Sequence, residues 1–331
     1  MKALCQLSKQ CLTVLTLLLI VLFFAGCGAL SKAQQKREAR LKKQQQERYM
    51  LLERPKAEIN ASPSGQEISS DHYILSFAED LKSSKDFDEP RERQDWGQGA
   101  LVYMESLYQY VHKIFGFEPK HRIQVIMYNR YRGTNMMAQT VVQARTIYNG
   151  EEYLRDIQGI EMHFPIDMYN RRGTRAHELT HAFTSMYMLP TWFSEGIAVL
   201  VEIEYAKGGD KGKVDLYDDL QTDLDGNNAV QSWKGHYTFD PLTIWRYNYS
   251  YSVVSELKAR FGDEFYPKLF RLIEEDQLHQ KISGEMPTSF LVHYLSKAAG
   301  QDLVPFFEQL KFNVRRLTKE QIRAILTQTG R

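Results

Sequence analysis

Between residues 71 and about 170 short alternating runs of apolar positions are interrupted by one long helical repeat, and from there to residue 331 helical repeats alone remain. His72 to Ala78 alternates as a half-buried strand does, and Arg122 to Tyr128 does so more cleanly, with Ile123, Val125 and Met127 on one side. Val141 to Tyr148 and Gly159 to Ile166 read as two further strands. Trp96 to Phe115 repeats its apolar residues at helical spacing and ends at Gly116. Past residue 170 the helical period takes over. Arg175 to Leu189 is so rich in Ala, Phe, Met, Tyr and Leu that most of its surface must be buried. Pro190 breaks that helix, and a second apolar one is predicted from Thr191, whose hydroxyl suits an N-cap. Arg246 opens another helix through Phe261, ending at Gly262. Asp263–Glu275, Thr288–Ala299, Leu303–Phe312 and Thr318–Thr327 complete the set, with Gly300 as a C-cap. The pattern predicts an α+β domain: a small N-terminal mixed sheet and a mostly helical second half.

The first 70 residues follow different rules. Lys2 and Lys9 precede an apolar run from Cys11 to Phe24, closed by Ala25-Gly26-Cys27. A basic start, a short apolar stretch and small residues predict a secretory signal over 1–26. The run falls short of the ~20 residues that span a bilayer, although an uncleaved N-terminal anchor is the alternative. Ala25-Gly26-Cys27 also resembles the bacterial lipobox. That resemblance implies a lipid on Cys27, which becomes the mature N-terminus, and a place in the bacterial cell envelope. Gly28 rather than Asp after it favours the periplasmic side of the outer membrane. Residues 27–70, dense in Lys, Arg, Gln and Glu and then in Ser, Pro and Gly, hold too few apolar side chains for a core and predict a flexible basic tether. The remainder, 71–331, suits one domain. Lys and Arg (42) balance Asp and Glu (41), and with no nucleic-acid motif this argues against a nucleic-acid partner. All three cysteines lie at or before Cys27, so a metal site in the domain must use His and carboxylates.

Such residues stand together at His177-Glu178-Leu179-Thr180-His181. On a helix, two His at i and i+4 share a face one turn apart and can converge on a single ion. Glu178, next to His177, points roughly 100° further round and can reach the attacking water without ligating the metal, as a general base should. The plainer alternative is an amphipathic helix with His and Glu on its wet side. A largely buried helix argues against it, because two imidazoles and a carboxylate inside need partners. A third ligand must come from elsewhere, since Thr184 and Tyr187 stand where one zinc-peptidase pattern would continue with Gly and His. Glu195, 195 − 181 = 14 residues past the second His, is expected in the first turn of the second helix, where a fold-back can deliver its carboxylate. Glu202, two turns on along the same face, is placed to accept a hydrogen bond from a ligand imidazole, or else is a solvated acid near the helix end.

His177-Glu178-Leu179-Thr180-His181 followed by Trp192-Phe193-Ser194-Glu195-Gly196-Ile197-Ala198 resembles the gluzincin zinc peptidases, especially the small bacterial peptidase-MA-like domains, and the paired motifs of the M1 aminopeptidases. The resemblance is specific over 170–203 and looser to about residue 312. It implies a gluzincin-like α+β domain with one Zn2+ per chain on His177, His181 and Glu195, Glu178 as base, and a peptide or protein as substrate. It also implies that Gly159–Ile166 is the edge strand that a substrate lies along. His163 on that strand reads as a strand residue. Counting back from Gly262, Tyr247 falls where M1-like enzymes carry the tyrosine that steadies the oxyanion, with Tyr249, Tyr251 and His236 as alternatives. The M1 exopeptidase motif is absent, so aminopeptidase specificity is not implied. Residues 207–240, with a calcium-like Asp223-Leu224-Asp225-Gly226-Asn227-Asn228 that lacks the closing Glu, predict a loop bordering the cleft. Two other functions share these features: an envelope lipoprotein using the fold only for binding or assembly, and an amidase acting on cell-wall peptide.

Overall fold

In a computed structural model the described residues are 59–61, 67–82, 89–129, 138–148, 153–169, 171–233, 241–276, 278 and 285–327. All of them fall in the compact unit Pro55–Arg331. Cys27, the signal, most of the tether and His236 lie outside the described residues.

The architecture is α+β. Strands β1 (Asn60–Ala61), β2 (Glu67–Ser69), β3 (Tyr73–Phe77), β4 (Ile123–Tyr128), β5 (Gln139–Tyr148) and β6 (Tyr153–Pro165) form one sheet in the order β1-β2-β3-β4-β6-β5. β3/β4 and β4/β6 run parallel and the other pairs antiparallel, so the sheet is mixed.

Two expectations change here. The sheet begins inside the 27–70 segment, because β2 pairs with β3 and buries Ile68 completely. Three residues are too few for an alternating period to show. Gly159–Ile166 is not the edge strand either: β6 is hydrogen-bonded on one side to β4 and on the other to β5, which takes the edge. β5 is half-buried at best along its length, so its sequence gave little sign that it pairs outside β6.

Between β3 and β4 come α1 (Glu79–Lys82) and α2 (Pro90–Phe115). The second starts before Trp96, with Pro90 in the first turn where its missing N–H costs nothing. Gly116 ends it in the left-handed region (φ 75°), its N–H donating to the His112 carbonyl. One sheet face, built from Tyr73, Leu75, Phe77, Ile123, Val125, Met127, Ile160, Met162 and Phe164, is fully buried or nearly so. It lies under α2 and α4 (Arg172–Thr184), the latter reached from β6 through α3 (Ile166–Tyr169). Glu105 of α2 ties the β2–β3 turn: its carboxylate accepts from Ser70 Oγ (2.6 Å) and the His72 N–H (3.0 Å) and sits 2.6 Å from His72 Nδ1. A buried carboxylate so fully bonded locks a turn that hydrophobic contact alone would leave loose.

After a 3-10 turn, Ser185–Tyr187, comes α5 (Thr191–Ala206). Thr191 is its first residue, not its N-cap; Pro190 holds that position without a side-chain bond, and the Thr191 N–H donates instead to Glu285 (3.2 Å). The cap comes from a segment some ninety residues away, which no local pattern announces, and Glu195 sits in the second turn rather than the first. α6 (Thr243–Phe261), α7 (Phe265–Glu275), α8 (Thr288–Ala299), α9 (Val304–Gln309) and α10 (Lys319–Thr327) complete the helical half. α5 packs between α4 and α6.

Candidate metal centre

The centre grows out of α4. Leu179, Ala182 and Phe183 are wholly buried, and each large one contributes about 1.5–3 kcal/mol by leaving water. Thr180 and Thr184 are buried as well, but their hydroxyls donate back to the carbonyls of Ala176 and Thr180, so they cost little. Arg175, 2% exposed, stacks over Tyr103 (3.7 Å) and Tyr169 (4.7 Å), fixing α4 against α2. A helix held this rigidly presents His177 and His181 as a fixed pair.

Their Nε2 atoms lie 3.1 Å apart. Glu195, from α5, places Oε2 3.3 Å from His177 Nε2 and 3.5 Å from His181 Nε2. The three can hold a metal ion, and among the described residues no other His, Cys, Asp or Glu group is so arranged. Tetrahedral ligands at ~2.0–2.1 Å from a zinc ion stand about 3.3–3.4 Å from one another. The observed triangle fits that spacing within a few tenths of an ångström, and two imidazoles with a carboxylate are a donor set that zinc accepts.

Around the triangle each imidazole is oriented by a neighbour. His177 Nδ1 lies 3.1 Å from Glu202 Oε2, and His181 Nδ1 lies 3.3 Å from Ser194 Oγ. A proton on each Nδ1, donated outward, leaves both Nε2 lone pairs facing the centre. Burial pulls the His177 imidazole toward neutrality. The hydrogen bonds to Glu195 and Glu202, with the charges of Glu195 and Glu178, outweigh it and push its pKa up to about 10. Carboxylates that favour a proton there so strongly also favour a cation.

Glu178 is buried and bonded to β5, where Thr140 Oγ1 is 2.8 Å from its Oε2 and 2.9 Å from its carbonyl. Tyr247 of α6 sets its ring 6.4 Å from that of His177 and packs edge-on against Trp233 (4.8 Å). The competing tyrosines are committed elsewhere: Tyr249 donates to the Leu216 carbonyl (2.7 Å) and Tyr251 to that of Gly209 (3.4 Å). Both bonds tie down the 207–233 segment, which reaches the centre through Trp233. His163 pairs with Glu161 on β6 (3.0 Å) and is not part of the triangle.

Four residues with no role foreseen in the sequence shape the centre. Ser194 and Thr140 are two. The others are glycines that permit close approach. A Cβ on Gly173 would stand 2.8 Å from Glu202 Oε1, and one on Gly196 would stand 2.6 Å from the Ser250 carbonyl oxygen. The first lets Glu202 lie against α4, and the second lets α6 lie against α5. Gly196 was at least visible beside Glu195. Thr140 is 38 residues from its partner and carried no signal.

No family model matches the chain, and no curated protein matches it. Its function therefore rests on this geometry.

Proposed function

We propose that this chain is a zinc-dependent peptidase of the gluzincin type, hydrolysing peptide bonds at the envelope surface to which a lipid on Cys27 tethers it. The observation that carries the proposal is the triangle of His177, His181 and Glu195 with a buried carboxylate, Glu178, one residue from the first ligand. His177, His181 and Glu195 would hold a zinc ion, which would supply Lewis acidity to a carbonyl and make water nucleophilic near neutral pH. Glu178 takes the proton of the attacking water and passes it to the leaving amine. Tyr247, whose ring lies 6.4 Å from that of His177, donates a hydrogen bond to the oxygen that gains charge in the transition state. Glu202 and Ser194 hold the two imidazoles in the tautomer that binds. β5, the terminal strand, offers its outer edge to an extended peptide, which suits a polypeptide substrate.

The test is direct. The purified protein should carry about one zinc per chain, removable by a chelator, and should cleave a denatured protein. Glu178→Gln should retain the zinc and lose about 10²–10⁴-fold in turnover. A chain that holds no zinc, or a Glu178→Gln variant as active as the parent, would sink the proposal and leave the binding scaffold. Purified cell-wall peptide assayed beside the protein substrate separates the amidase.

A further inference from the structure

We propose that Thr140 on the edge strand is the residue that positions the general base, an inference that rests on the peptidase proposal above. Glu178 is 6% exposed, and Thr140 Oγ1 is the hydrogen-bond donor to its side chain among the described residues, 2.8 Å from Oε2. A glutamate on a helix has three rotatable bonds, and one one residue from a metal ligand can swing toward the cation and become a fourth ligand. Anchoring Oε2 on β5 prevents that swing and leaves Oε1 for the water. The anchor is itself located twice. Thr140 pairs with Met162 in the β5–β6 register, and its hydroxyl also lies 2.9 Å from the Glu178 carbonyl, so strand and helix are fastened at the point where the base emerges. The strand along which a peptide would lie therefore carries the group that aims the base. Substrate register and proton transfer share one rigid element.

Thr140 touches neither the ligand triangle nor the reacting atoms, so its loss should appear in turnover and not in binding. Thr140→Val keeps the shape and removes the hydroxyl. We expect kcat to fall about tenfold to a hundredfold, with KM within about twofold and zinc content unchanged, and Thr140→Ser to restore most of kcat. A second measurement needs neither metal nor substrate: the melting temperatures of chelated Thr140→Val, Glu178→Ala and the double variant. If the two side chains are bonded, the double variant loses less than the sum of the two single losses. Undiminished kcat in Thr140→Val, loss of zinc along with activity, failure of Thr140→Ser to recover, or strictly additive melting losses would each overturn the assignment. Were Glu178→Gln fully active, the peptidase proposal would fail by itself, while the melting cycle would still report on the bond.

Discussion

At the scale of single residues, the centre depends on carboxylates placed to act through imidazoles. Glu202 comes from α5 and accepts from His177 across the groove between two helices, and it can do so only because position 173 has no side chain. Replacing Glu202 by Ala should weaken zinc binding by about 10–100-fold, read by titration against a competing chelator. Gly173→Ala should shift affinity in the same direction by a smaller factor, since its methyl displaces the Glu202 carboxylate instead of deleting it. Unchanged affinity in both variants would mean that His177 needs no outer partner. Ser194 does the equivalent for His181 with a neutral hydroxyl, so the two imidazoles are unequally supported.

At the scale of elements, the packing of α5 against α6 sets how Glu195 and Tyr247 stand relative to α4. Gly196 faces the backbone of Ser250, and backbone cannot rotate away from a new methyl. An exposed Gly→Ala change within a helix stabilises by up to about 1 kcal/mol. At Gly196 the sign should reverse: forcing the helices apart should cost about 1–3 kcal/mol, seen as a lower urea midpoint with an unchanged slope. Zinc affinity should fall with it, because Glu195 is the preceding residue. The edge strand makes the same point in another way. Alternation found β4 and β6 easily, whereas pairing order depends on which strand another meets, and β5 has too little buried surface to declare its place.

At the scale of the molecule, metal and fold should be linked. Three residues from two helices can close round one metal ion only when those helices are packed, so a metal that binds there at about 100 times its Kd should add about 2.7 kcal/mol to stability. Chelation should lower the melting temperature by several degrees. The loss should also depend on pH. In the chelated protein His177 holds a proton with a pKa near 10, raised above its ordinary 6.5. A raised folded-state pKa stabilises fully below pH 6.5, and that contribution is lost as pH rises through about 10. The chelated protein should therefore soften between those limits while the zinc-loaded protein does not. Parallel melting curves for both forms across that range would contradict the assignment of His177.

The amino-acid sequence by itself determined the α+β class, most helices, the inner strands β3, β4 and β6 and the pairing of His177 with His181, because these rest on period and spacing within one strand or one turn of helix; Glu195, on the next helix, was a candidate that needed the fold-back to join them. It could not determine the strand order, the early start of the sheet at β1 and β2, or the capping of α5 by Glu285. Nor could it reveal Thr140, Ser194, Gly173 and Gly196 beside the centre. Each of these depends on which surfaces meet after the chain has closed. A side chain's partner across a helix–strand or helix–helix contact is set by packing distance, and local periodicity carries no record of that.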